Sequence, residues 1–261
     1  MVGWRVYRVG TVGSTNTALW ALADAGEPEG SVLVADEQTA GRGRAGRAWF
    51  SPRGGGLWLS VLLRPGRPAA EVAGLSVATA LSVASALRET PGVDARVKWP
   101  NDVVADGRKL GGVLLESRQS PGGLVESVIV GVGINVNLAT ADLPPDLASS
   151  ATSLSALVGG AVSAPDVLRA VLARYDEDWR LFCARGLEPF RARWAALSAT
   201  LGRPVEVARG GGTVRGVAVD LSPSGALVVE AEGGRRVEVW HGDVAHGGRP
   251  EGGAVPGGTH G

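Results

Sequence analysis

Hydrophobic and polar positions follow two regimes along the chain, with the change near residue 200. Upstream, helical and extended patterns alternate. Ser14–Gly26 has a capping serine, apolar residues at helical spacing and a closing glycine, which predicts a helix. Ser31–Ala35 and Leu57–Leu63 are short, mostly apolar segments, which read as strands. Between them, residues 40–56 are mostly Gly and Arg, cannot pack a core, and read as a long loop. Residues 69–90 carry small apolar side chains at helical spacing and stop at Pro91-Gly92. Short strands are predicted near 94–98, 102–105, 110–116 and 126–136, and helices over 165–184 and 187–197. Downstream the pattern is strands only, over 204–209, 213–221, 226–231 and 235–240, with a hairpin turn at Ser222-Pro-Ser-Gly225. That many short strands in so few residues suggest a small barrel. The Gly-rich end is expected to be disordered. The expected organisation is a catalytic-sized domain over 1–200, a small one over 201–247 and a tail over 248–261.

Composition sharpens where to look. Twenty-six basic residues balance twenty-six acidic ones, which argues against a protein that lives on non-specific contact with nucleic acid or anionic membrane. The single cysteine, Cys183, excludes an intrachain disulfide and a cysteine-based zinc site. With no signal peptide and apolar runs far short of a membrane span, the expectation is a soluble, cytoplasmic protein. Only two of the basic residues are lysine, Lys98 and Lys109, and there are four asparagines, Asn16, Asn101, Asn135 and Asn137. Where arginine has replaced lysine almost everywhere, a surviving lysine marks a place that needs a compact point charge rather than a planar fork.

Three segments carry candidate chemistry. Gly41-Arg-Gly-Arg-Ala-Gly46 contains a literal G-x-G-x-x-G after a strand, but it leads into Trp49-Phe-Ser-Pro and more glycines instead of a helix. That excludes a dinucleotide-binding turn. What remains is a flexible backbone bearing Arg42, Arg44, Arg47 and Arg53, able to close over a carboxylate or phosphate, or else a mobile surface loop. Lys98-Trp-Pro-Asn-Asp102 and Lys109–Glu116 bring both lysines beside strands, with Gly111 and Gly112 allowing close backbone approach. A surface Lys–Asp pair is the plainer alternative there. Val128–Asn137 reads as a buried strand ending in two asparagines, at the strand edge where open sheets place ligands, or simply in a turn.

In order and spacing, five segments resemble the motifs of the biotin protein ligase family: GSTN at 13–16, DEQTAGRGRAGRAWFSP at 36–52, KWPND at 98–102, KLGGVLLE at 109–116 and GVGINVN at 131–137. The resemblance extends over residues 1–247. It implies an α/β (α+β) catalytic domain with a mixed sheet of the biotin/lipoate ligase type, followed by an SH3-like domain. The GSTN motif begins at residue 13, so the expected type is the monofunctional enzyme without a DNA-binding domain. The implied activity is that of biotin–[acetyl-CoA-carboxylase] ligase, using ATP and Mg²⁺. Biotin is activated to biotinyl-5′-AMP and then transferred to a lysine of a carboxyl carrier domain. Neither DNA nor membrane is an expected partner, and the expected state is a monomer or weak homodimer.

By that resemblance, Lys109, Arg42, Arg44 and Asp102 form the catalytic set. Ser14, Thr15, Asn16, Gln38, Gly43, Gly111 and Gly112 join Arg42, Arg44 and Lys109 around biotin. Arg44, Arg47, Trp49, Lys98, Asn101, Lys109 and Asn135 meet ATP or the adenylate. Asp102 either orients Lys109 or helps to hold magnesium through the phosphates. A mixed anhydride hydrolyses in water, so residues 41–53 are expected to order over it. Rival assignments are a lipoate or octanoate ligase, whose acid needs no ureido partners, a non-catalytic biotin sensor, and a nucleic-acid binder using the arginine loop.

Overall fold

The computed structural model describes residues 3–209, 212–240, 242 and 244–246. Its first part is a mixed sheet. The chain runs through β1 (Arg5–Val12), α1 (Thr15–Asp24), β2 (Ser31–Gln38), β3 (Gly56–Leu63), β4 (Arg67–Pro68), α2 (Ala69–Val72) and α3 (Leu75–Glu89). It continues through β5 (Arg96–Lys98), β6 (Asp102–Ala105), β7 (Arg108–Gln119), β8 (Leu124–Asn135), α4 (Leu154–Val158), α5 (Ala164–Arg185) and α6 (Arg191–Leu197). The strand order is β1-β2-β3-β8-β7-β6-β5, with β4 pairing β8. β1 and β2 run parallel and every other pair is antiparallel.

Both faces of the sheet are covered, which is why β3 reads as apolar on both faces apart from Ser60. One face packs against α3 and α5 in the main core, where Leu59, Val61, Leu63, Val130, Leu81 and Val171 are buried. On the other face α1 places Leu19 over Leu33, Leu62 and Ile129. Over Ala69–Glu89 the chain has the helical length and apolar content to cross a membrane, which uninterrupted apolar runs do not reveal. Here 78% of that window is buried inside the fold. Ser82 Oγ on α3 donates to Oδ2 of the buried Asp178 on α5 at 2.7 Å, and Arg193 on α6 donates to the same oxygen.

The second part is a five-stranded antiparallel sheet, β12-β11-β10-β9-β13. Its strands are β9 (Pro204–Arg209), β10 (Gly212–Leu221), β11 (Leu227–Glu230), β12 (Arg236–Val239) and β13 (Val244–His246). It is tied to the first part by Trp99 Nε1, which donates to the Gly225 carbonyl at 3.0 Å, and by Arg191, which binds Asp220 at 2.8 Å.

Several elements differ from the sequence expectation. β1 was not anticipated; it is an exposed edge strand whose residues bury little, so no apolar alternation marks it. The helix expected over 69–90 is two helices meeting at Gly74. A Cβ at Gly74 would lie 2.8 Å from Leu187 Cδ2, so this joint needs glycine to pack. The helix expected over 187–197 is a 3₁₀ turn at Glu188–Phe190 followed by α6. β7 extends beyond both expected ends, β8 begins earlier than expected, and β13 was missed. The expected tail at 248–261 lies outside the described residues.

Candidate active site

Register turns the α1 face of the sheet into a prepared floor. Ser60 on β3 pairs with Gly131 on β8, which pairs with Leu114 on β7. One step along the cleft, Trp58, Gly133 and Gly112 form the next row, and Leu62, Ile129 and Glu116 form the row beneath α1. Side chains alternate across strands, so these three rows share one face. Glycines at 112, 131 and 133 clear it. Above them lies a cleft of about 340 Å³. The residues that the resemblance assigns all line this cleft except Gly111. Of the wider candidates, Asn137 and Arg53 do not line it, and Arg53 turns instead to Asp36, Glu37 and Thr11, so it is not part of the anion-closing set. Alternation turns Gly111 to the helix-covered face, where a Cβ would come 2.8 Å from the Gly133 carbonyl oxygen. Its smallness therefore serves strand packing, contrary to its expected place at the ligand.

One end of the cleft is a buried amide-and-hydroxyl cluster at the start of α1. The Thr15 amide donates to Gln38 Oε1 at 2.8 Å, and Gln38 Nε2 donates to Ser51 Oγ at 2.9 Å. Ser60 Oγ lies 2.6 Å from Asn16 Oδ1 and 2.7 Å from Thr15 Oγ1. Asn16 is 3% exposed, and its Nδ2 is a buried donor without a partner among the described residues. Such a group costs free energy unless something in the cleft accepts from it. Ser60 belongs to this cluster and was missed, because a lone serine in an apolar strand carries no signal of its own.

The other end is cationic. Lys109 Nζ sits 2.7 Å from Asp102 Oδ1 and 5.1 Å from the centre of the Trp49 ring. Trp49 lies against the glycine floor, where a Cβ at Gly133 would be 2.5 Å from its Nε1. Arg42 and Arg44 come from a loop that is folded back on itself. Arg42 and Ala48 form an antiparallel bridge, the Gly43 amide donates to the Arg47 carbonyl, and the Trp49 amide donates to that of Gly41. Ala45 takes φ 54° in this turn, next to Gly46 at φ 73°. The expected loop over 40–56 is thus a loop with internal order. Arg44 Nη1 donates to Asn101 Oδ1 at 3.0 Å, and Asn101 Nδ2 donates back to the Val113 carbonyl, joining the loop to β7. Asn101 thus braces Arg44.

A third wall was not anticipated. Leu138, Leu143 and Ala151 cluster with Phe50, Leu147 and Ala148 over the cleft. This segment is strapped to β7 by two backbone bonds, Lys109 amide to Ser150 carbonyl at 2.7 Å and Thr152 amide to Lys109 carbonyl at 2.8 Å. Asn135 Nδ2 donates to the Thr152 carbonyl at 2.9 Å. Asn137, which ends the same motif, clamps Val162 through both its amide atoms and so serves structure. Val244 of the small sheet also lines the cleft, a contribution that no upstream motif signals.

The cleft thus carries an amide cluster at one end and a lysine–aspartate pair with an arginine loop at the other. Residues 10–135 match the model of the biotin/lipoate A/B protein ligase family, and residues 200–247 match the biotin protein ligase C-terminal domain. The biotin–[acetyl-CoA-carboxylase] ligase of Mycobacterium tuberculosis is 39% identical over 258 residues, covering 94% of this chain and 90% of that one. The bifunctional ligase/repressor BirA of Bacillus subtilis is 35% identical over 221 residues, covering 85% of this chain and 68% of that one. The biotin protein ligase of Aquifex aeolicus, solved with biotin and ATP, superposes with a TM-score of 0.79 at 33% identity, covering 92% of this chain and 97% of that one. The chain belongs to the biotin protein ligase family.

Proposed function

We propose that this enzyme joins biotin to a lysine of a biotin carboxyl carrier domain in two steps within the one cleft. In the first, a biotin carboxylate oxygen attacks the α-phosphorus of ATP, the bond to the β-phosphate oxygen breaks, and pyrophosphate leaves. In the second, the ε-amine of the carrier lysine attacks the biotinyl carbonyl, AMP leaves with the bonding electrons, and an amide remains. Both reacting partners in the first step are anions, so the site must gather them and hold the charge that builds on phosphorus. Lys109, held by Asp102, and the guanidinium groups of Arg42 and Arg44 supply that charge. Arg47 and Lys98 support the phosphates, while Trp49 and Asn135 receive the adenylate. Ser14, Thr15, Asn16 and Gln38 take the ureido end, while the backbone at Gly43 and Gly112 lies beside the carboxylate end of biotin.

The observation that carries this assignment is the Nδ2 of Asn16 at the α1 end of the cleft, unpartnered among the described residues. A ureido ring brings a carbonyl acceptor and N–H donors to such a cluster. The dithiolane of lipoate or the alkyl chain of octanoate would leave it unsatisfied.

Magnesium enters this scheme with the phosphates of ATP. Among the described residues no three His, Cys, Asp or Glu side chains converge, and the one acidic side chain lining the cleft, Asp102, is engaged by Lys109. These residues do not fit a protein-built magnesium cage, so no step is assigned to one. The same proposal keeps residues 1–200 as the catalytic unit and 201–247 as the SH3-like unit, acting in the cytoplasm as a monomer or weak homodimer.

The second step is tested by incubating the enzyme with ATP, magnesium, labelled biotin and the carrier domain of an acyl-CoA carboxylase. Label should appear on one carrier lysine and vanish when that lysine is replaced by arginine. Release of adenylate into solution with no labelled carrier would contradict the transfer assignment.

A further inference from the structure

We propose that Glu116 is a positioning residue for biotin binding, acting through Arg42; this rests on the assignment of the cleft to biotin. Glu116 lies on the cleft face of β7, in the row with Ile129 and Leu62, both of which are 0% exposed. That row packs under α1, where a carboxylate is a costly choice against an apolar side chain. It is compensated by two donors from different elements. Trp20 Nε1 on α1 donates to Oε2 at 3.0 Å, and Arg42 Nη2 from the arginine loop pairs with Oε1 at 2.8 Å.

The same Arg42 nitrogen donates to Thr17 Oγ1 at 3.2 Å. Thr17 and Trp20 are three residues apart on α1 and share a face. Among the described residues these contacts use only Nη2, so Nη1 and Nε of the fork remain for the cleft that Arg42 lines. Glu116 does not line the cleft itself and can act on a ligand only through the arginine it holds. The helix whose first turn presents Thr15 and Asn16 to one end of the ligand thereby also sets, through Thr17, Trp20 and Glu116, the arginine that meets the other end. The spacing between ureido recognition and carboxylate capture is built into one helix and one strand.

An arginine already held in place loses less freedom when ligand arrives, so the clamp acts on binding more than on turnover. The exposed portion of the pair keeps the effect moderate. The test is ATP–pyrophosphate exchange at varied biotin for wild type, Glu116→Gln, Arg42→Ala and the double variant, with melting temperatures as a control on folding. Glutamine keeps the shape and the acceptor for Trp20 but removes the charge opposite Arg42. Glu116→Gln should raise KM for biotin about three- to tenfold with kcat within about twofold, and should add nothing in the Arg42→Ala background. An unchanged KM, or the same rise with Arg42 already removed, would overturn the role and leave Glu116 as packing beneath α1. Wild type without biotin-dependent exchange would instead overturn the cleft assignment on which the role rests.

Discussion

Replacing Lys109 by arginine should lower the rate of biotin adenylation by about 10²-fold or more, although the charge is kept. The ammonium sits between Asp102, 2.7 Å away, and the Trp49 ring, 5.1 Å from its centre. A planar guanidinium is longer and wider than the ammonium held there, and it cannot point three rotatable donors at the meeting place of carboxylate and phosphate. Such a loss corresponds to about 2.7 kcal/mol of transition-state stabilisation. The fold should be spared, because the strap that Lys109 makes to the 150–152 segment runs through its backbone, not its side chain. Single-turnover formation of the adenylate, measured beside a melting curve, separates the two. A rate near that of wild type would remove Lys109 from the reaction.

Replacing Gly131 by alanine should weaken biotin binding by about 10- to 100-fold while leaving ATP binding nearly unchanged. A Cβ at this position would overlap Oδ1 of Asn16, and Asn16 has little room to retreat because Ser60 holds that oxygen from below. If Asn16 swings away, a buried amide loses its partner and the ligand loses its donor, each worth about 1–3 kcal/mol. The backbone at Gly131 is ordinary strand, so the effect falls on the pocket rather than on the sheet. Calorimetric titration with biotin and separately with ATP would show it. Equal weakening of both ligands would point to a general distortion of β8 instead.

Much of the cleft was legible because its chemistry is concentrated in short segments rich in glycine. The two lysines, Asn16 and the arginine loop stood out, and the lysines, Asn16, Arg42, Arg44 and Arg47 line the same cleft. What those glycines are for was not legible. Gly133 and Gly112 make a flat bed for an indole 63 or more residues upstream, and Gly131 makes room for Asn16, relations that exist only once β3, β8 and β7 are in register. Gly111 shows the converse, since β-alternation separates it from its neighbour by a whole face of the sheet.

Ser60 and Glu116 were hidden for the same reason. Each is a single polar residue in an apolar strand, and its meaning lies in partners on α1 and the arginine loop. β1 escaped because an exposed edge strand need not alternate, and the 138–152 wall because its leucines follow no single period. The switch to strands after residue 200 was plain, yet the reach of Val244 back to the cleft depends on how the small sheet docks through Trp99 and Arg191.

The central claim is that this cleft activates biotin with ATP, and ATP–pyrophosphate exchange tests it most directly. The assay is run with biotin, with lipoate and with neither acid. Exchange with biotin alone is the predicted result. Exchange with lipoate and not with biotin would contradict the role of Thr15, Asn16 and Gln38, and no exchange with either acid would contradict adenylation itself.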